Sequence, residues 1–432
     1  MKNKKKVYVA LSADVLHKGH INIIKKASRY GFLIIGLLTD KAIASYKRVP
    51  HLNYKDRETI IKNLKYVDMV VPQTTLDHTK NLNLYKPDYV FHGDDWKSGP
   101  LSQTRRQVIK VLKKWKGKLI EPKYTKNISS QKIKDEMNKI GTTPDIRRAK
   151  LKRLIDAKEI VRVLECHNPI AGLIVENLNY NKHEKWTEFD VMWSSSLTDS
   201  VSRGMPDNQS VDYSTRISGV NEIFNVTTKP LIFDIDNGGQ IEHLKFIVKK
   251  LESSGVSAII MEDKIGLKKN SLFSDQSNVR QESIAKFSQK IKEAKNAAIT
   301  EDFLVIARIE SLILGKSIND ALKRAIEYSK AGSDLIMIHS KENNPKKIFE
   351  FSQKFLKTKY AKPLVAVPST YSKTPEKDLI KNGFKIVIYA NHLLRSSYFA
   401  MYQNAEKILR SKRSFEAEKQ MTSIKDIISL IK

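Results

Sequence analysis

Short apolar runs alternate with amphipathic stretches along the whole chain, in two different rhythms. In the first, Val7 to Leu11 and Leu33 to Leu38 are unbroken apolar runs, the pattern of parallel strands buried on both faces. Between them Ile21, Ile24, Ala27 and Tyr30 fall on one face at helical spacing. Arg57 to Leu64 predicts a further helix, and strands follow near Met69 to Val71 and Tyr89 to His92. This predicts a small Rossmann-like α/β domain with a parallel sheet over residues 1–138. Gly141 to Pro144 and the charged stretch after it predict a linker over 139–150.

The second rhythm begins at Val161. Strand-like runs fall at Val161 to Glu165, Phe189 to Trp193, Leu231 to Phe233, Ala258 to Met261, Phe303 to Ala307, Asp334 to Ile338, Leu364 to Val367 and Lys385 to Tyr389, with helical stretches between them. Eight strands in that alternation predict a (β/α)₈ barrel over 151–432. Polar residues stand just past nearly every run, where barrel enzymes keep their chemistry. They include Glu165 and His167, Ser194 to Ser196, Asp234 and Asp236, Glu262 to Lys264, Arg308, His339 and Asn391. Asp234 and Asp236 lie two apart at a strand end and so point to one side. With Glu262 from the next strand they form an all-oxygen set suited to a hard cation such as Mg²⁺, held partly through water. The stretch after Ser396 is helical and partly apolar, fit to close the barrel or to pack on another subunit.

Composition changes this picture little. Of 432 residues 41% are hydrophobic, and no apolar run is long enough to span a bilayer. The basic Met1 to Lys6 precedes too short an apolar stretch for a signal peptide. A single cysteine, Cys166, excludes an internal disulfide and fits a reducing cytoplasm. The formal charge of +30 raises nucleic acid as a partner. Its lysines are nevertheless spread along the chain, as in KNKKK and KKWKGK, with no aromatic-interleaved patch, which favours solvated lysines and small anionic substrates.

The string EDKIGLKKNS, Glu262 to Ser271, resembles the EDK-x5-NS signature of phosphoenolpyruvate mutases. ECHNPIAG, WSSSL, DID, ARIES, MIHSK, VPSTY and YANH follow the family's order from Leu151 onward. The resemblance implies an isocitrate lyase-like barrel, of a superfamily that often assembles as tetramers by exchanging a C-terminal helix, and so a homo-oligomer, dimer or tetramer. It implies Mg²⁺ as cofactor at Asp234, Asp236 and Glu262, and phosphoenolpyruvate and phosphonopyruvate as substrates. Ser195 and Leu197 match substrate-receiving positions, and Asp207 in GMPDNQS matches the catalytic aspartate. Lys268, Asn270 and Ser271 match the closing loop, while Arg308 and His339 match the phosphoryl-binding pair. Ser196 stands where the family usually has glycine. Carbon–carbon lyases of the superfamily carry a catalytic cysteine in this loop, which here reads KKNS. Phosphonopyruvate hydrolase is the alternative; it differs chiefly in this loop, where mutases keep an asparagine, here Asn270. The implied mutase calls for a decarboxylase to draw its unfavourable product onward.

DVLHKGH, Asp14 to His20, follows a strand and opens a helix, so its imidazoles can clasp an anion at a helix N-terminus. It resembles the HxGH nucleotidyltransferases, in particular cytidylyltransferases, with LLTDKAIASYKR, YKDRETIIKNLKYVDMVVP, HGDDW and NISSQKI in the family's order. The resemblance implies CTP as nucleotide and a phosphonate such as 2-aminoethylphosphonate as acceptor. His17 and His20 would bind the triphosphate and Lys47 a phosphate. Asp14 belongs to the same nucleotide motif, Asp94 would lie near the base, and Ser129 would lie at a helix-start phosphate site. Leu11 replaces a family glycine and Tyr124 a family arginine. The whole is expected to be a cytoplasmic bifunctional enzyme, binding neither nucleic acid nor membrane.

Overall fold

The computed structural model describes residues 4–97, 101–123, 141–182, 185–271, 276 and 278–431. The chain divides into two compact units: residues 1–140 with 156–158 and 179–187, and the remainder.

The first unit is a five-stranded parallel sheet. Its strands are β1 (Lys6–Leu11), β2 (Phe32–Leu38), β3 (Met69–Gln73), β4 (Tyr89–Phe91) and β5 (Lys118–Ile120), in the order β3-β2-β1-β4-β5. The two-residue strand period divides the apolar runs between two cores. Tyr8, Ala10, Ile34 and Leu38 face one layer, and Val7, Val9, Leu33, Ile35 and Leu37 the other. Helix α1 (Lys18–Ser28) buries Ile24 and Ala27, but Ile21 and Tyr30 of the expected face are 36% and 45% exposed. The chain leaves β1 toward β2 on one side and adds β4 on the other. That reversal opens a crevice at the carboxyl ends of β1 and β4. Three-residue β5, an edge strand, carries too few apolar residues to stand out in the sequence.

The second unit is a closed barrel of eight parallel strands, running round in chain order. They are Val161–Glu165, Val191–Ser194, Leu231–Asp234, Ala258–Glu262, Leu304–Ile309, Leu335–Ile338, Leu364–Ala366 and Phe384–Tyr389. Each matches an expected run to within two residues. One continuous core fills the space between the strands and the surrounding helices. The expected linker is helical from Pro144 to Ala157. Its Arg147 is buried, donates to the carbonyls of Thr227 and Lys229 at 2.7 and 3.1 Å, and stacks on Phe224. Those carbonyls precede the third strand, so the segment serves the barrel rather than spacing it. The helix His392–Ser411 buries none of its residues and exposes Tyr398, Phe399, Met401 and Tyr402.

Candidate active sites

At the barrel's C-terminal end, parallel register sets neighbouring strand ends side by side. Glu262 pairs with Arg308 in the ladder, and Asp234 ends the strand before them. The chain then turns at Asp236, whose φ of +52° is a left-handed conformation that aspartate tolerates better than most residues. The Asp236 amide donates to Asp234 Oδ1 at 2.9 Å, and the Asp236 carbonyl accepts from the Glu262 amide at 2.7 Å. The turn therefore fixes three carboxylates on adjacent strands.

Lys268 reaches into this cluster. Its ammonium bonds Ser196 Oγ and Asp236 Oδ1 and lies 3.1 Å from Asp207 Oδ1 and 3.9 Å from Asp234 Oδ2. Burial disfavours its charge, but Asp236, Asp234, Asp207 and Glu262 outweigh that and raise its pKa. Asp234 is correspondingly lowered, Lys268, Arg308 and Arg216 together exceeding its burial. Asn270 Nδ2 donates to Asp207 Oδ2 at 2.9 Å.

Beside this cluster Arg308 lies 3.2 Å from Glu262 Oε2, donates to Ser271 Oγ at 2.8 Å, and touches His339 Nδ1 at 3.1 Å. Burial lowers the His339 pKa, and Arg308 adds to that. Burial pushes Glu262 up to about 7, against the pull of Arg308 and Lys264. Ser195, Leu197, Asp234, Lys268, Asn270, Ser271, Arg308 and His339 line a cavity of about 40 Å³. That is room for about one water. Asp207, Asp236 and Glu262 are not part of this lining. In this arrangement the Lys268 ammonium balances Asp207, Asp234 and Asp236.

Two residues that the sequence reasoning assigned no role sit at the centre. Glu310 is fully buried and bonds Arg308, Ser271 and His339, and Lys264 lies 3.4 Å from Glu262 and 3.5 Å from Glu310. The signal for Glu310 was its place in ARIES, two beyond Arg308 and so on the same side of the strand. Cys166, the lone thiol, is buried and its pKa is raised by burial.

Among the described residues no three His, Cys, Asp or Glu side chains form a ready metal-ligand set. The donors nevertheless fit Mg²⁺. All are carboxylate oxygens, and Glu262 Oε2 is buried without a hydrogen bond.

In the first unit, His17 caps α1, its Nδ1 accepting from the Gly19 amide at 3.1 Å, while His20 Nδ1 accepts from the His17 amide at 3.4 Å. The rings lie 4.0 Å apart. Burial, with His17 and Lys47 nearby, lowers His20 to about 4, and burial lowers His17 and Lys47 as well. These groups line a cavity of about 330 Å³ with Leu11, Tyr46, His78, His92 and Trp96. His92 stacks on Trp96 at 3.8 Å. Two expected residues lie outside the lining. Asp14 is buried and accepts from the His51 and Leu52 amides at 2.6 and 3.2 Å, a loop-holding role. Asp94 opens the 3-10 turn Asp94–Lys97, and its neighbour Asp95 faces the cavity. Ser129 and Tyr124 lie outside the described residues. His78, unremarked in the sequence, faces the cavity, nearly buried, with Nδ1 unpaired.

Residues 151–409, well over half of the chain, match the phosphoenolpyruvate phosphomutase family. The chain belongs to that family. Residues 12–136 match the cytidylyltransferase-like family, so a nucleotidyltransferase-type domain is joined to a phosphomutase-type barrel. A phosphoenolpyruvate phosphomutase from Tetrahymena pyriformis is 34% identical over 65% of this chain and 89% of its own length. A phosphonopyruvate hydrolase from Variovorax sp. (strain Pal2) is also 34% identical, over 65% of this chain and 93% of its own. The solved phosphonopyruvate hydrolase in complex with oxalate and Mg²⁺ is 31% identical, with a TM-score of 0.58, and the match covers 67% of this chain and 95% of that one. Family membership makes the chain an enzyme of phosphoryl-transfer and phosphonate chemistry. Equal identity to a mutase and a hydrolase leaves the choice between them to the site.

Proposed function

We propose that the barrel interconverts phosphoenolpyruvate and phosphonopyruvate. The O–P bond of the enol phosphate breaks as a P–C bond forms at C3 of the same pyruvate, and the enol oxygen becomes the ketone. No electron or water is consumed. The observation that carries this reading is the bond from Asn270 to Asp207. It ties the loop asparagine, which mutases keep where phosphonopyruvate hydrolase differs, to the aspartate beside the transferring group. Arg308 and His339 supply fixed donors to a loose, metaphosphate-like phosphoryl group. Ser195 and Leu197 receive the carboxylate and keto end, and Lys268 and Asn270 close over it to exclude water.

Asp234, Asp236 and Glu262 would hold Mg²⁺, which when bound supplies positive charge against the enolate oxygen. Lys268 must leave Asp234 and Asp236 for that. A cavity of about 40 Å³ likewise requires the Lys268–Ser271 segment to move before substrate enters. The hydrolase reading rests on the equal identity alone.

The first unit would transfer CMP from CTP to a phosphonate such as 2-aminoethylphosphonate, releasing pyrophosphate. A basic cavity of about 330 Å³ at a helix N-terminus supports this reading. His17, His20 and Lys47 would face the phosphates, with Asp14 bracing the loop behind them. Asp94 and Ser129 remain as positions taken from the resemblance. The apolar face of His392–Ser411 would be covered in a homo-oligomer, dimer or tetramer. No helix among the described residues is long and apolar enough to cross a membrane. Since a P–C bond is the less stable isomer, a decarboxylase acting on phosphonopyruvate would drive the flux.

The deciding experiment is phosphorus NMR of the protein with phosphonopyruvate and Mg²⁺. Phosphoenolpyruvate as product supports the mutase. Phosphate with pyruvate replaces it with the hydrolase.

A further inference from the structure

Glu310 lies at the end of the fifth barrel strand (Leu304–Ile309), fully buried, and its two carboxylate oxygens face different ways. Oε1 takes Arg308 Nε and lies 3.1 Å from His339 Nδ1. Oε2 accepts from Ser271 Oγ at 2.6 Å, with Lys264 Nζ 3.5 Å away. One oxygen thus holds the phosphoryl-binding pair, and the other holds the segment that carries Lys268 and Asn270. The Ser271 hydroxyl is saturated by this arrangement. It donates its one proton to Glu310 and accepts from Lys264 Nζ and Arg308 Nη2, each at 2.8 Å.

The tautomer of His339 depends on which neighbour its Nδ1 serves, Glu310 Oε1 or Arg308 Nη2, each at 3.1 Å. An ionised carboxylate only accepts, so a bond to Glu310 puts the proton on Nδ1, whereas a guanidinium only donates and would need Nδ1 bare. With the proton on Nδ1, as the Glu310 contact favours, Arg308 Nη2 keeps its bond to Ser271 and lies 3.2 Å from Glu262 Oε2. The Glu310 carboxyl stays ionised because Arg308, His339 and Lys264 overcome its burial and hold it well below the usual carboxylate range. His339 Nε2 is left free of that bond to meet a ligand.

We propose that Glu310 is a positioning residue that couples closure of the Lys268–Ser271 segment to the orientation of Arg308 and the tautomer of His339. This rests on the phosphoryl-transfer reading of the barrel. When Ser271 seats on Oε2, the same carboxylate has already set the two groups that receive the phosphoryl group. Water is thus excluded only when the donors are in place. Losing the coupling leaves a site that cleaves the phosphoryl group but admits water, so product shifts from isomer to phosphate.

The test compares the full-length wild type, Glu310→Gln and Ser271→Ala with phosphonopyruvate and Mg²⁺. Phosphorus NMR reads the ratio of phosphoenolpyruvate to phosphate, and ¹⁵N NMR reads the His339 tautomer in the unliganded protein. Glu310→Gln is expected to lower kcat about ten- to a hundredfold, the usual cost of losing a group that orients a ligand-binding side chain. It should also raise the phosphate fraction and shift the His339 proton from Nδ1. Ser271→Ala removes the Oε2 contact, with the Arg308 and Lys264 bonds to that hydroxyl, but leaves Oε1 on Arg308 Nε and His339, so the phosphate fraction rises while the tautomer stays. A Glu310→Gln protein with slowed turnover but unchanged product ratio and tautomer overturns the proposal. If that variant does not fold by circular dichroism, Ser271→Ala with an unchanged ratio overturns it alone. Should the wild type itself yield phosphate, the mutase reading fails, and the His339 tautomer alone decides the role of Glu310.

Discussion

The two candidate sites handle charge in opposite ways. In the barrel, five carboxylates, two lysines, an arginine and a histidine are tied to one another, most of them buried, and about 40 Å³ is left over. In the amino-terminal unit the imidazoles of His17, His20, His78 and His92 all have lowered pKa values and surround about 330 Å³. The first site is its own counter-ion and has to exchange internal ion pairs for those of a ligand. The second is a preformed cavity lined by these imidazoles together with Lys26, Lys47 and Lys123. The contrast follows from the reactions proposed. A metaphosphate-like group survives only where water is shut out, so donors are fixed in advance. A nucleotide is large and polyanionic, and needs an open crevice at a helix N-terminus.

The sharpest way to break the comparison is to remove one member of each site and assay both. Asp207→Ala should reduce phosphonopyruvate isomerisation by about a hundredfold or more, the scale of losing a preorganised polar group. The same variant should leave CTP-dependent release of pyrophosphate unchanged. A loss of both activities in Asp207→Ala would mean the sites are not independent. His17→Ala should do the reverse, costing about a hundredfold in pyrophosphate release while phosphorus NMR shows normal isomerisation.

A smaller effect is expected at Leu11, which lines the open cavity where the cytidylyltransferases have glycine. Leu11→Gly should tighten CTP binding by up to about tenfold in calorimetry, equivalent to about 1.4 kcal/mol. Unchanged affinity would show that the side chain does not crowd the nucleotide.

The smallest effect concerns pH. His20 is held near 4 in the folded protein, against about 6.5 when unfolded. Between those values the unfolded chain binds the extra proton, so this histidine contributes stability above pH 6.5 that is lost as pH falls toward 4. Urea melts of the wild type and His20→Gln should therefore diverge near neutrality and converge through that window. A His20 NMR midpoint near 6.5 would remove the basis for that behaviour.

Much of this was legible without coordinates. The eight barrel strands and β1 to β4 stood out because parallel strands buried on both faces are written as unbroken apolar runs. DID, EDK and ARIES stood at strand ends, so their grouping followed from barrel geometry. Pro144 to Lys152 misled, because its charged pattern resembles a linker until Arg147 is seen to find carbonyl partners more than 75 residues away.

Sequence alone determined which residue types stand at which strand ends, since local spacing and the strand period decide that. Tertiary structure alone decided who touches whom. It turned Asp14 to a loop backbone, brought His78 to the cavity wall, and set Lys268 among three carboxylates. It also gave the two oxygens of Glu310 different partners, 39 to 46 residues away on the loop side and 29 away at His339. Periodicity fixes the side of a strand on which a residue lies. Distances of about 3 Å between groups far apart in the chain depend on how closed packing places whole elements, and no local pattern encodes them.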